Sequence, residues 1–247
     1  MAFNNNITFL TPVVKHLIII NVLFMLLCST PPDVLGIDLT NLLALHYWEA
    51  SNFYPFQLIS HQFLHGGMAH IFFNMFMLFS FGPAIEYKWG PVKFLTFYLL
   101  CGIGAGLTQE LAWSFDSAIQ EIKRTAELVG QNGLPVTFPD GATLSPSEFF
   151  EFKDKVFCHR FGAVGASGAL MGVFAATAMI YPNVNTYFMF LPFPIKAKYM
   201  VLIFFILDLG LGFHGGEGDT IAHFAHVGGL ITGFLIILLW RLTHRSN

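Results

Sequence analysis

The sequence is poor in charged residues, and its lysines and arginines form no cluster. Charged residues make up only 11% of the 247, and the formal net charge is -3. The basic runs with which proteins bind nucleic acid are therefore missing. Hydrophobic residues make up 55%, and 29 residues are phenylalanine. This composition argues against a nucleic-acid partner and is typical of an all-α polytopic membrane protein.

Cysteine is scarce as well. The chain has three cysteines, Cys28, Cys101 and Cys158, and they lie in different segments. An odd number of cysteines spread in this way argues against a disulfide framework.

Long apolar stretches occupy most of the chain. Stretches of about 20 apolar residues are typical of transmembrane helices. Candidates lie near residues 12–33, 69–87, 91–112, 162–181, 197–213 and 221–241. These six predicted spans, numbered 1 to 6, leave little chain for another domain. We therefore expect a single membrane domain over 1–247.

Lysine and arginine are absent from the loops 34–68 and 214–220. They flank the opposite ends of the spans, at Lys15, Lys88, Lys93, Lys196, Lys198, Arg241 and Arg245. The positive-inside rule then predicts cytoplasmic termini and an extracytoplasmic segment 113–160. This charge pattern, in a sequence without the features of a transit peptide, favours a bacterial cytoplasmic membrane.

The two long external segments differ in character. Loop 34–68 intersperses aromatic residues such as Tyr47, Trp48 and Tyr54 among polar ones, which predicts a chain lying in the membrane interface.

Segment 113–160 predicts a small helical hairpin outside the membrane. "DSAIQEIKRTAELV" is typical of a helix, and Ser145, Pro146 and Glu148 form a capping box that begins a second one. "LPVTFPDGA" between them indicates turns. The segment is too small to form a core of its own.

Span 4 is short for a membrane helix. From Ser167 to Tyr181 it covers about 15 residues, or roughly 22 Å, whereas the hydrocarbon core is about 30 Å thick. Ser167 is therefore expected below the outer surface, at a helix N-terminus that favours negative charge.

Small residues predict a close contact between spans 4 and 6. The glycines concerned are Gly165, Gly168, Gly172, Gly229 and Gly233. Small residues four apart let two membrane helices approach closely. Because His226 lies one turn before Gly229, we expect it within hydrogen-bonding distance of Ser167.

A serine in contact with a histidine can perform nucleophilic acyl chemistry. The histidine takes the proton as the serine attacks and returns it to the leaving amine. The oxyanion formed needs hydrogen-bond donors. Span 2 offers His70 and Asn74, four residues apart on one face, and the Ser167 backbone N–H is a third candidate.

Two further polar residues lie in the spans. His223 is predicted to be structural, because His226 is better placed before the glycines. Asp208 in span 5 is either a third member of a catalytic triad or a residue that caps its helix or faces water.

Two other functional classes fit less well. "HQFLH" has the histidine spacing of a zinc site, with His70, His223 and His226 as possible further ligands, but Gln62 stands where zinc proteases have glutamate. No metal or cofactor is therefore expected. A transporter would have internal repeats, and the two halves of this sequence show none.

Taken together, four segments resemble the signature of the rhomboid intramembrane serine proteases. They are "GASGALMG" around Ser167, "AHVGGLITG" around His226, "HQFLHGGMAHIFFNMFMLFSFG" through His70 and Asn74, and "EYKWG" with Glu86. They occur in the family's order, on spans 2, 4 and 6.

This resemblance implies a six-helix rhomboid-like bundle that cleaves transmembrane segments of other proteins within the lipid bilayer. It implies a dyad of Ser167 as nucleophile and His226 as general base, without an acidic third member. His70 and Asn74, with the Ser167 backbone, would form the oxyanion hole. Glu86 would stabilise the cytoplasmic end of span 2.

The sequence departs from the family pattern in three places. Phe56 and Gln57 stand where the first loop often has Trp-Arg, Met171 stands where an aromatic residue often stacks on the histidine, and segment 113–160 is long.

The alternative function is that of an inactive family member that binds membrane helices without cutting them. Span 5, followed by "HGGEGD", has the features of a movable gate for substrate.

Overall fold

The computed structural model describes residues 10–160, 162–187, 193–214 and 221–243. Residues 215–220, which form most of the loop before span 6, lie outside the described residues. Arg245, one of the charges predicted to flank the spans, lies outside them as well.

The described chain is mainly helical, because long apolar stretches satisfy their backbone groups internally only as helices in a membrane. The helices in chain order are α1 (Pro12–Cys28), α2 (Pro32–Leu35), α3 (Leu39–Leu43), α4 (Gln57–Ser60), α5 (Met68–Trp89), α6 (Pro91–Ser114), α7 (Ser117–Asn132), α8 (Pro146–Arg160), α9 (Ser167–Ile180), α10 (Ala197–His214) and α11 (His223–Thr243). A 3-10 turn, His61–Phe63, follows α4.

Among the described helices, α5, α6, α10 and α11 are long and apolar enough to cross a membrane. The other two predicted spans correspond to shorter apolar helices, α1 with 17 residues and α9 with 14. An all-α polytopic membrane protein is therefore confirmed. That all six of these helices cross the membrane stays a prediction.

Short antiparallel strands join the loops. The pairs in the described chain are β1 (Leu45–His46) with β4 (Gly162–Ala163), β2 (Val136–Thr137) with β3 (Thr143–Leu144), and β5 (Asn185–Thr186) with β6 (Ile195–Lys196). Leu45 faces Ala163 in the first pair. The loop before α5 is thereby joined to the chain just ahead of α9.

The segment between α6 and α9 has the predicted form of a helical hairpin. Its second helix, α8, begins with the predicted capping box. The Ser145 N–H donates to the Glu148 carboxylate at 2.8 Å, and the Ser145 hydroxyl accepts the Glu148 N–H at 3.5 Å. The turn region between the helices contains the strands β2 and β3.

This hairpin shares a core with the first loop. Ile119 of α7 and Phe157 of α8 are buried against Tyr47 and Ala50, and the Phe157 ring meets the Tyr47 ring edge-on at 5.3 Å. The hairpin therefore covers the loop that follows α3.

The three cysteines are free thiols. The expectation that the chain has no disulfide framework is confirmed.

Glycines bring α9 and α11 into direct backbone contact. A Cβ on Gly229 would overlap the carbonyl of Gly168, and one on Gly233 would lie 2.7 Å from the Cα of Gly172. The predicted close approach is confirmed. On its other side α11 packs against α6, where a Cβ on Gly228 would lie 3.1 Å from the Gly104 carbonyl oxygen.

Glu86, near the end of α5, caps the N-terminus of α1. Its buried carboxylate accepts the N–H groups of Val13 and Val14 at 2.9 Å each, and the hydroxyl of Thr11. A carboxylate satisfies the unpaired N–H groups at a helix start. The contact ties α1 to the end of α5, in keeping with the structural role that the resemblance implies.

We predict that Gly229→Ala destabilises the protein. The added Cβ overlaps the Gly168 carbonyl, so α11 must move away from α9, at a cost of about 1–3 kcal/mol. Thermal unfolding in detergent, followed by intrinsic fluorescence, measures the loss.

Gly210→Ala in α10 is the matched control. No atom lies within 4 Å of a Cβ there, so the helix propensity of alanine should leave the melting temperature unchanged or raise it. Equal destabilisation by both variants would contradict the glycine contact.

Candidate active site

Ser167 is the first residue of α9, so its N–H belongs to the helix start, where backbone donors lack intrahelical partners. The 14 residues of α9 extend about 21 Å, less than the roughly 30 Å of a hydrocarbon core. If the far end of α9 reaches one membrane surface, Ser167 lies about 9 Å below the other.

The Ser167 hydroxyl contacts the imidazole of His226. The Oγ and Nε2 atoms are 2.8 Å apart. The contact predicted from the sequence is therefore present. It follows from the glycine contact, because Gly168 and Gly229 each lie within one turn of these two residues.

His226 has a second partner, which the resemblance does not imply. Its Nδ1 lies 3.0 Å from Oδ1 of Asp208, a buried residue of α10. The structure differs here from a dyad without an acidic third member. Asp208 is also not the helix cap or water-facing residue of the other prediction, because it is buried and contacts His226. Such pairing is expected, since a carboxylate in an apolar helix is costly unless it is paired.

His223 contacts the same carboxylate. Its Nδ1 lies 2.6 Å from Asp208 Oδ1, and the residue is buried. Of the two histidines, His226 is the one in contact with Ser167, as the sequence predicts.

Nε2 of His70 and Oγ of Ser167 both lie close to Gly165. The Gly66 N–H donates to Nδ1 of His70 at 3.3 Å, so the ring proton is on Nε2. A Cβ on Gly165 would lie 2.8 Å from that Nε2 and 3.5 Å from Ser167 Oγ. Gly165 has a φ of +133°, a conformation that side chains rarely adopt.

Asn74 lies one turn after His70 on α5, as predicted. It is buried, and its Nδ2 has no hydrogen-bond partner among the described residues. Buried amides are normally paired, so an unpaired one needs an explanation. Asn74 Nδ2 shares this lack of a partner with other buried atoms of the described chain, such as the Tyr98 hydroxyl.

The first loop holds the backbone beside Ser167 in place. The His61 carbonyl accepts the N–H of Gly165 at 2.9 Å, and the β1–β4 pair lies just before it. The 3-10 turn therefore fixes the glycine that leaves space for His70.

Gln57 anchors this loop, at one of the positions where the sequence departs from the family pattern. Its side chain is fully buried. The Oε1 atom accepts the His46 N–H at 3.3 Å, and Nε2 donates to the carbonyls of Leu42 and Asn52 at 3.0 and 2.8 Å. Three backbone groups of the loop thus bind one amide.

Met171, which stands where the family pattern often has an aromatic residue, lies in an apolar cluster. It is buried there with Phe174 and Met200 of α10. This contact joins α9 to α10, one turn below the serine.

The zinc interpretation of "HQFLH" finds no support in the contacts. His61 Nδ1 donates to the Gln57 carbonyl at 2.6 Å, so only its Nε2 is available as a ligand. Within the described ranges, the side chains close enough to share a cation are Asp208, His223 and His226. Neither histidine of the motif belongs to this group.

The arrangement has the parts that acyl transfer requires. A hydroxyl, an imidazole and a carboxylate form a hydrogen-bonded chain, and the His70 ring lies beside Gly165. The sequence predicted the contact between Ser167 and His226, which is present. The roles of His70 and Asn74 stay predictions, and the sequence left Asp208 undecided between two roles. It indicated no role for Gln57, whose partners lie up to 15 positions away along the chain.

The chain matches the family model described as Rhomboid domain over residues 52–242. It is 24% identical over 181 residues to "RHOMBOID-like protein 6, mitochondrial" of Arabidopsis thaliana, which covers 73% of this chain and 42% of the relative. It is 28% identical over 200 residues to "Rhomboid protease AarA" of Providencia stuartii, covering 76% and 56%. It is 28% identical over 171 residues to "Rhomboid protease GluP" of Bacillus subtilis, covering 69% and 23%.

The chain therefore spans between 23% and 56% of the length of these relatives.

We predict that Gln57→Leu loosens the first loop. The substitution leaves the His46 N–H and the Leu42 and Asn52 carbonyls without this partner, at about 1–3 kcal/mol for each group that stays unpaired. Limited proteolysis should cut within 34–68 faster than in the wild type, and the melting temperature should fall.

Gln131→Leu is the control, because Gln131 is an exposed glutamine of α7. It should leave the cleavage rate unchanged. Wild-type resistance of the Gln57 variant would contradict the anchoring role.

Proposed function

The chain belongs to the rhomboid family, and we propose that it is an intramembrane serine endopeptidase that uses Ser167 and His226. The observation that carries the proposal is the 2.8 Å contact between Ser167 Oγ and His226 Nε2 at the start of a short apolar helix. A nucleophile and a base in contact are the minimum for covalent acyl transfer.

Ser167 is the nucleophile. Its Oγ forms a bond to the carbonyl carbon of the scissile peptide while its proton passes to Nε2 of His226. When the tetrahedral intermediate collapses, the C–N bond breaks and His226 returns the proton to the leaving nitrogen. Water then attacks the acyl ester with His226 as base, which releases the carboxylic acid product and restores Ser167.

The oxyanion of the intermediate is stabilised by donors beside Ser167. His70 Nε2 lies beside Gly165 and is assigned the ring proton because Nδ1 accepts the Gly66 N–H, and Asn74 Nδ2 is a buried donor without a partner among the described residues. The Ser167 backbone N–H, at the positive end of α9, is the third donor. Donors fixed in advance stabilise developing charge without reorganisation.

The substrates are transmembrane segments of other membrane proteins. A site recessed at the start of a short helix receives such a segment from the bilayer and water from the near surface. The gate is α10, which is the least buried of the four long apolar helices. Its displacement would let a helix rich in small residues unwind toward Ser167, and its return would restore the contact of its Asp208 with His226 before the reaction.

The protein is an integral membrane protein, and its orientation follows from its charges. Both termini are on the cytoplasmic side, where Lys15, Lys88 and Arg241 flank the helices, and the site opens on the opposite side. We propose the bacterial cytoplasmic membrane as its location.

We predict that a fluorophosphonate probe labels the wild-type protein and neither Ser167→Ala nor His226→Ala. The probe reacts with activated serines, and activation requires the imidazole at 2.8 Å. In-gel fluorescence measures the labelling. Ser80→Ala and His16→Ala, which change exposed residues, are the controls and should label like the wild type.

The same experiment tests the alternative functions. Wild-type protein that is well folded and stays unlabelled would favour a helix-binding member without activity. Labelling lost on treatment with a chelator would favour the metal interpretation, whereas we expect labelling to persist because no step uses a metal.

We predict that Asn74→Ala lowers kcat for a model transmembrane substrate by about 10²–10³-fold, the usual effect of removing one oxyanion donor. The change acts on the transition state, so KM should stay nearly constant. Asn21→Ala, which removes another buried asparagine, controls for loss of stability. A kcat unchanged in Asn74→Ala would contradict its assignment.

A further inference from the structure

Asp208 is an unusual residue for its position. It lies in the apolar helix α10, and only 7% of its surface is exposed. A carboxylate at membrane depth is costly, and such residues face a partner and usually serve a function. Its Oδ1 lies 2.6 Å from Nδ1 of His223 and 3.0 Å from Nδ1 of His226.

We propose that Asp208 is a positioning residue that orients His226 toward Ser167, so that the site works as a Ser-His-Asp triad. The proposal rests on the proposed protease function. It assigns a role that the resemblance to the family does not supply, because the family pattern implies a dyad.

The first part of this role is the choice of tautomer. A neutral imidazole carries one proton, on either ring nitrogen. An ionised carboxylate accepts only, so Asp208 at 3.0 Å holds the proton on Nδ1 of His226. The lone pair on Nε2 then faces the Ser167 hydroxyl. The other tautomer would present an N–H there and could not take the serine proton.

The second part is charge stabilisation. When Nε2 takes the serine proton, His226 becomes a cation. A carboxylate in contact with that cation, where both side chains are mostly buried, lowers the energy of the charged state.

His223 fixes the carboxylate itself. It lies three residues before His226 on α11 and donates to the same oxygen of Asp208. The imidazoles of His223 and His226, both on α11, therefore bind the same carboxylate oxygen of Asp208 on α10. His223 acts on the base through Asp208, which gives this buried histidine a positioning role.

The contact with Asp208 also limits rotation of the His226 ring. Nδ1 is held by Asp208 Oδ1 at 3.0 Å and Nε2 by Ser167 Oγ at 2.8 Å. The imidazole is therefore bound on both sides.

The first test reads the His226 tautomer in the resting wild-type protein. Ring-nitrogen NMR shifts of ¹⁵N-histidine-labelled protein in detergent distinguish the two tautomers and the cation, and His226→Gln identifies the signal. We expect the proton on Nδ1. A neutral His226 with its proton on Nε2 would overturn the proposal without any variant of Asp208.

The second test is Asp208→Asn, which keeps the size of the side chain. Its amide can donate to Nδ1 and so place the His226 proton on Nε2. The same change in a Ser-His-Asp protease lowers kcat by about 10⁴-fold, so the rate of fluorophosphonate labelling should fall by about 10²-fold or more. Asp33→Asn, a change of an exposed aspartate of α2, is the control.

Asp208→Glu separates positioning from a merely structural role. It restores a carboxylate, so the Nδ1-H tautomer and part of the labelling rate should return. A wild-type tautomer and labelling rate in folded Asp208→Asn would overturn the proposal. So would an Asp208→Glu variant that melts like the wild type but keeps the tautomer of Asp208→Asn.

The tautomer does not depend on catalysis, which separates this proposal from the proposed function. Wild-type protein that is never labelled, but whose Nδ1-H tautomer is lost in Asp208→Asn, would contradict the protease function and support the positioning role.

Discussion

The backbone contact between α9 and α11 is the constraint on which the site depends. Gly168 and Gly229 leave no room for a side chain between the two helices. Only at this separation do Ser167 and His226, on neighbouring turns, reach a hydrogen-bonding distance of 2.8 Å. A site made of one residue from each of two helices is as precise as the packing between them, and glycine packing is rigid because backbone meets backbone.

Two buried polar side chains hold other parts of the chain to the bundle around this pair of helices. Glu86 and Gln57 satisfy several backbone donors or acceptors each, and they fasten α1 and the first loop to the bundle. Asn74 is buried with its amide nitrogen unpaired among the described residues. Other buried polar atoms of the described chain, such as the Tyr98 hydroxyl, also lack a partner. The proposed role of Asn74 as an oxyanion donor therefore rests on its place one turn after His70 and not on its unpaired amide alone.

Local patterns made much of this predictable from the sequence. The capping box at Ser145, the short helix after Ser167 and the glycines at Gly229 and Gly233 are each encoded within a few residues, so spacing alone revealed them. The helices accordingly lie where hydropathy predicts them. The contact between Ser167 and His226 was also predictable, because a smooth glycine face fixes which turns meet.

Contacts between distant segments were not predictable in the same way. Asp208 reads as an isolated acid in an apolar stretch, and only the packing of α10 against α11 gives it two imidazole partners. In the sequence, Gln57 is a departure from the family's Trp-Arg pair. In the fold, its amide binds three backbone groups of the first loop and anchors that loop. In both cases the side chain takes its role from residues that sequence spacing does not relate to it.

The most direct test of the assembled site is a structure of the protein reacted with a phosphonate, whose tetrahedral centre imitates the intermediate. We expect phosphorus bonded to Ser167 Oγ, and one phosphonyl oxygen about 2.7–3.1 Å from His70 Nε2, Asn74 Nδ2 and the Ser167 backbone nitrogen. An adduct on another residue, or a phosphonyl oxygen directed away from these donors, would contradict the site described here.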